Sequence, residues 1–152
     1  MEELMGTILE YKCKKCRKTY SVSVGIGYLQ PMICEDTVKG IAAGKYGKEW
    51  KDAYENGGEN LAVTAEKVIY CCEKCGSWEN KTDITLYAPD KKSVEKSRHF
   101  IMRGDEGFHV YKQFVPTCSQ CGGAMKELEK VYELSCPKCG TVNEPGPMIL
   151  AD

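Results

Sequence analysis

Cys118-Ser-Gln-Cys121-Gly-Gly, then a charged stretch, then Cys136-Pro-Lys-Cys139-Gly: two Cys-x-x-Cys turns stand 14 residues apart near the end of the chain. Two thiolates at this spacing grip one metal ion from a single tight turn, and two such turns complete a four-sulfur tetrahedron. The same turn occurs at Cys13-Lys-Lys-Cys16 and at Cys72-Glu-Lys-Cys75. Eight of the ten cysteines fall into these pairs, which points to metal rather than to a disulfide framework. Proximity groups Cys118 and Cys121 with Cys136 and Cys139. It leaves Cys13 and Cys16 to join Cys72 and Cys75 across 55 residues. Gly76, Gly122 and Gly140 directly follow the second cysteine of their turns and permit the left-handed backbone such turns need. Arg17 stands in that place after Cys16, so the first turn is expected to be looser. Cys34 and Cys71 lie outside the pattern and read as packed structural residues.

Working outward, Thr7 to Lys12 has strand composition and runs into Cys13, and Thr19 to Val24 returns from Cys16. Thr64 to Cys71 leads into the Cys72 turn, Asp83 to Ala88 alternates as another strand, and Phe108 to Val115 approaches Cys118. Met125 to Ser135 is expected to form the hairpin of the last pair of turns. Glu35 to Asn56 carries an apolar stripe at helical spacing, Val38, Ile41, Ala42, Tyr46, Trp50, Ala53 and Tyr54. Asp36 or Thr37 can cap its start and Gly57-Gly58 stop it, while Gly44 and Gly47 weaken the middle enough for two short helices. Pro31 marks a break, and Gly25-Ile-Gly27 is a turn, since it lacks the third glycine of a dinucleotide loop. The expected fold is a small α+β protein. Residues 1–88 form a split metal-bound ribbon with a helical insertion at about 35–56. Residues 89–107 are a charged linker with a possible short helix at Ser93 to His99, 108–144 a compact ribbon, and 145–152 an extended or mobile tail.

The formal charge is −1, from 21 basic and 22 acidic residues, so no global field selects nucleic acid or membrane. Four thiolates on one divalent ion sum to −2, so two filled sites take the chain to about −5. The chain contains no long apolar run, and Met1-Glu-Glu-Leu-Met-Gly6 lacks the features of a secretory signal. A cytoplasmic setting is expected. The two histidines, His99 and His109, have no ligand spacing and read as surface or internally satisfied residues.

The turn Cys118-x-x-Cys121-Gly, paired with Cys136-Pro-x-Cys139-Gly, resembles a zinc ribbon of the rubredoxin-like superfamily. The opening Ile8-Leu-Glu-Tyr-Lys-Cys13-x-x-Cys16 is similar to small bacterial zinc-ribbon proteins of unknown function. The resemblance implies structural Zn2+, two ions per chain, and no particular substrate. Lys12, Lys14, Lys15, Arg17 and Lys18 crowd the first turn beside Tyr11 and Tyr20, which suits a phosphate backbone with some stacking, or a protein partner. A second reading is a rubredoxin-like electron carrier with iron held by Cys118, Cys121, Cys136 and Cys139, since the Cys-Pro-x-Cys-Gly turn is shared with that class. A third is an enzyme with an unrecognised site. No nucleophile–base pair or phosphate loop supports it.

Overall fold

Strand β1 (Thr7–Lys12) buries Thr7, Leu9 and Tyr11 on one face, and it pairs antiparallel with β2 (Thr19–Val24) from Thr7↔Val24 to Lys12↔Thr19. The first thiolate turn links them. This computed structural model describes residues 7–26, 29–58, 60–90, 99–102, 107–128, 133–146 and 148–150. Two compact units emerge: Met1–Tyr28, Glu66–Thr82 and Val115–Asp152 form one, and Leu29–Ala65 with Asp83–Phe114 form the other. The fold is α+β, with two helices and short antiparallel strands in small sheets.

The first unit repeats the hairpin. After α1 (Gln30–Ala42) and α2 (Lys48–Gly57), which belong to the second unit, β3 (Lys67–Cys72) and β4 (Trp78–Thr82) pair around the second thiolate turn. β5 (Leu86–Pro89) and β6 (Phe108–Lys112) again belong to the second unit. β7 (Met125–Glu127) then joins the free edge of β3. β8 (Leu134–Ser135) pairs with β9 (Val142–Asn143) around the fourth turn, and β10 (Met148–Leu150) pairs with β1. Met125 to Ser135 is therefore not a hairpin: its ends enter different sheets. The expected tail likewise returns as a strand, and the Gly146 N–H donates to the Glu10 carbonyl at 2.7 Å.

Leu9, Tyr11, Val22, Val24, Ile69 and Leu134 form the core of this unit, with Tyr20, Trp78 and Leu128 packed on it. Truncating a fully buried member such as Ile69 to Ala would cost about 2–5 kcal/mol. Two contacts join the hairpins edge to edge. Gly25 and Lys67 exchange backbone hydrogen bonds at 3.1 Å. The Asn80 amide acts as an added peptide unit, accepting from Ser23 N at 2.9 Å while its Nδ2 donates to Ser23 O and Val68 O at 3.0 and 3.1 Å.

The second unit is made of two insertions. In α1, Gln30, Cys34, Thr37, Val38 and Ile41 recur at helical spacing and are buried. The helix starts earlier than expected, and Pro31 lies in its first turn, where a missing N–H removes no helical hydrogen bond. Thr37 is no cap; its hydroxyl donates back to Ile33 O. Gly44 and Gly47, at φ +88° and +103°, separate the helices, and Gly58 at +91° ends the second. Trp50, 8 % exposed, donates Nε1–H to Ile84 O at 3.0 Å and meets Phe114 edge-on at 6.0 Å, so the aromatic stripe is core. Gln30 Nε2 donates to Thr64 O and Ala65 O, both at 2.7 Å, satisfying carbonyls that helix burial strips of water.

Part of the expected linker lies inside this unit. Pro89 pairs with Phe108, Val63 bridges Phe100, and the Ile101 N–H donates to Val63 O. The short helix expected at Ser93 to His99 lies almost wholly outside the described residues. Asp83 accepts from the Thr85 backbone and hydroxyl at 3.0 and 2.7 Å, a local turn that starts β5 three residues later than expected.

Replacing Asn80 with Ala should lower unfolding stability by about 1–2 kcal/mol, because three backbone partners lose their bond in part-exposed positions. Chemical denaturation of the metal-loaded protein reads this. An unchanged midpoint would show that the hairpins are joined without it.

Candidate metal centres

The four turns share one local design. In each, the residue after the second cysteine donates its N–H to the first cysteine's carbonyl: Arg17 to Cys13 and Gly122 to Cys118 at 2.9 Å, Gly76 to Cys72 and Gly140 to Cys136 at 2.8 Å. The three glycines take φ of +79° to +81°, and Arg17 takes +66°. The first turn is thus built like the others rather than looser. A left-handed residue with a Cβ carries strain of about 1–2 kcal/mol, which the three glycines avoid.

The turns combine in an order that sequence proximity does not give. Cys13 and Cys16 meet Cys136 and Cys139, forming centre 1, with Cys13–Cys139 and Cys16–Cys136 sulfur distances of 3.5 and 3.6 Å. Cys72 and Cys75 meet Cys118 and Cys121, forming centre 2, with Cys72–Cys121 and Cys75–Cys118 at 3.5 and 3.6 Å. The expected grouping of Cys13/Cys16 with Cys72/Cys75, and of Cys118/Cys121 with Cys136/Cys139, is corrected: first goes with last, and the middle turns go together. All eight expected cysteines are used. Cys34 and Cys71 belong to neither quartet, and neither does His99 or His109.

Within each quartet the four sulfurs lie within 4.8 Å of one another. A tetrahedral ion with bonds near 2.3 Å to sulfur needs sulfur separations of about 3.8 Å, so either quartet can hold a metal ion. Backbone dipoles aim at the sulfurs: Lys15 N and Cys16 N lie 3.4 Å from Cys13 Sγ, and Gln120 N and Lys138 N lie 3.4 Å from Cys118 and Cys136 Sγ. The Cys16 N–H, and then that of Lys15, bring the Cys13 thiol down to about 5 against the opposing effect of burial. The Ser77 hydroxyl and N–H bring Cys75 to about 6. At Cys16 the Lys18 N–H pulls down, but burial and the sulfurs of Cys136, Cys13 and Cys139 together push it up to about 11. Thiolates this close oppose one another's ionisation, and a divalent cation is what lets all four ionise.

Each centre is clamped by a side chain that the sequence reading did not single out. Asn143, four residues after Cys139, accepts the Lys14 N–H at 3.0 Å; Glu79, four after Cys75, accepts the Ser119 N–H at 3.0 Å and its hydroxyl at 2.6 Å. Ser119, hydroxyl first, lowers the Glu79 carboxyl. Thr141 and Ser77 each place a hydroxyl 3.2 Å from the second cysteine sulfur. Turns 2 and 4 therefore share the pattern Cys-x-x-Cys-Gly-Ser/Thr-x-Glu/Asn, which is visible in the sequence. In the structure each centre takes one such turn and one plain turn, and the pattern alone leaves open which turns combine. Trp78 Nε1 donates to Ser135 O at 2.8 Å, tying the strand after Cys75 to the residue before Cys136.

The remaining cysteines and histidines stand outside both quartets. Cys34 is fully buried, donates to Val63 O and Thr64 O at 3.3 Å, and is pushed up to about 12 by burial and then by Glu35. Cys71 is half-buried and raised by burial. His109 Nδ1 lies 2.7 Å from Asp90 Oδ1; the buried His99 Nδ1 makes no hydrogen bond among the described residues, with Glu35 Oε2 at 3.5 Å.

Pairwise cysteine replacement reads the grouping directly. Cys16→Ser with Cys139→Ser should remove one metal equivalent per chain, and Cys16→Ser with Cys75→Ser should remove two; the reverse result restores the proximity grouping. In the native metal-loaded protein at pH 8, iodoacetamide should leave Cys34 unmodified in peptide mapping and modify it only after denaturation.

Comparison with known proteins finds no matching family model, no matching curated protein and no matching solved structure.

Proposed function

We propose that the eight cysteines ligate two structural zinc ions, and that the protein is an interaction module whose first centre binds nucleic acid. What supports zinc is the donor set: four protein sulfurs fill a tetrahedron, which suits a closed structural site and leaves no coordination position for an activated water. The iron electron-carrier reading rested on turns 3 and 4 enclosing one ion, and they go to different centres. The thiols are all free, so a reducing cytoplasm is the proposed setting. Among the described residues, no helix is long and apolar enough to cross a membrane.

The observation that carries the nucleic-acid reading is charge. Lys12, Lys14, Lys15, Arg17 and Lys18 are all exposed, and none has an ion pair among the described residues. Five cations outweigh the −2 of one filled centre, so the surface beside it is positive. The aromatic part of the expectation is revised. Tyr11 is 2 % exposed and stacks on Tyr20 at 4.9 Å and 6°, and the Tyr20 hydroxyl donates to Leu134 O. These rings hold the core together, so contact is through phosphates, with little sequence preference.

Purified protein should hold two zinc per chain without visible absorption. A labelled oligonucleotide should bind with an affinity that falls steeply with salt, at roughly 0.7 log units per log unit of salt for each phosphate neutralised on a single strand. Exchanging Lys14, Lys15 and Lys18 for Glu should abolish binding with zinc retained. Absence of binding at low salt, or binding indifferent to salt, would sink this function.

A further inference from the structure

The two centres are alike in sulfur geometry and unlike in charge. In centre 1 the turns read Cys13-Lys-Lys-Cys16-Arg17 and Cys136-Pro-Lys138-Cys139; in centre 2 they read Cys72-Glu73-Lys74-Cys75 and Cys118-Ser-Gln-Cys121. Centre 2 is nearly balanced, since Glu73 pairs with Lys126 at 2.8 Å and Glu79 with Lys81 at 3.3 Å. Lys138 is exposed and has no ion pair among the described residues. More than a hundred residues separate it from Lys14 and Lys15. The quartet and the Lys14–Asn143 bond nonetheless place its turn against theirs.

Arg17 is the second anomaly. Three turns place glycine where φ is positive, and the turn with the most cations keeps an arginine there at +66°. The side chain is exposed and makes no hydrogen bond or ion pair among the described residues. Non-glycine residues held in this region concentrate where a ligand uses them. A guanidinium offers a planar fork that matches two phosphate oxygens, which lysine cannot reproduce.

We infer that Arg17 and Lys138 complete one phosphate-binding face spanning both turns of centre 1, which grips a nucleic-acid backbone, while centre 2 has no part in binding. This rests on the nucleic-acid reading above and adds two contact residues and a boundary to it. Lys12 lies at the margin: it shares a cleft of about 730 Å³ with the carboxylates of Glu10 and Glu144, which offset its charge. A membrane surface fits less well, because Val142 is the one exposed large apolar residue described in or directly after these turns.

The test uses the zinc-loaded full chain, a mixed-sequence single-stranded 12-mer, and a salt series. Arg17→Gly should unfold at higher denaturant than the parent, retain two zinc, and bind about five- to tenfold more weakly. Lys138→Ala should bind several-fold more weakly, with the salt dependence reduced by about one phosphate contact. Lys74→Ala, the centre 2 counterpart, should match the parent. Arg17→Gly that is more stable yet binds like the parent, or Lys138→Ala indistinguishable from Lys74→Ala, overturns the inference while leaving the nucleic-acid reading standing. A parent that holds two zinc and binds no 12-mer at any salt removes both. Equal binding of vesicles containing anionic phosphatidylserine would reassign the face to lipid and overturn it.

Discussion

The closure of Cys13 and Cys16 onto Cys136 and Cys139 is the constraint from which the rest of the first unit follows. It brings the first described hairpin against the last, so that β10 can complete the sheet on β1, and it encloses the second closure, of Cys72 and Cys75 onto Cys118 and Cys121. Neither hairpin buries enough apolar surface to stand alone, as units of this size rarely do. The shared core of Leu9, Tyr11, Val22, Val24, Ile69 and Leu134 draws on both sheets and on the segment before the fourth turn. The two centres are therefore parts of one structure. Trp78, three residues after a ligand of centre 2, holds the carbonyl next to a ligand of centre 1.

The paired cysteines, the flanking strands and the helical stripe were all legible in the sequence, because each is a local signal. The grouping of the cysteines was not, and the reason is energetic. A 14-residue closure looks far cheaper than one spanning more than a hundred residues, yet loop entropy grows only logarithmically. The difference is about 2 kcal/mol. Pairing of β7 with β3 and of β10 with β1, together with the clamps from Asn143 and Glu79, offsets that amount. Those contacts join residues with no sequence relation to one another. Pro31 misled for a different reason: a proline ends a helix from within but starts one when it falls in the first turn, and only the position of the turn decides which.

The second unit was concealed by its discontinuity. Its helices announce themselves, but a third of its core lies well beyond them: Ile84, Leu86 and Ala88 in one expected strand, Phe114 in another, and Phe100 in the stretch whose charges and proline suggest a joint. Each strand shows its own alternation, but nothing local says that the strands pack on the helices. Val63 collects them by pairing with the Phe100 segment. Its polar groups follow the usual rule for interiors, with the Gln30 amide and the Cys34 thiol both spent on carbonyls of Val63, Thr64 and Ala65.

Repetition of one turn four times makes departures from it interpretable. Where glycine serves at Gly76, Gly122 and Gly140, the backbone demand is purely steric, and Arg17 answers the same demand at a cost in strain. Its N–H reaches the Cys13 carbonyl at 2.9 Å, the distance Gly122 makes to Cys118. The charge held in that conformation stands beside four exposed lysines and across the centre from a fifth, which is the departure on which the proposed phosphate contact rests. Centre 2 has the same sulfur geometry with glycine after both turns, an ion pair from Glu73 to Lys126, and one lysine, Lys74, within its turns. Both centres fix the architecture of the unit, and they differ in the charge that their turns carry to the surface.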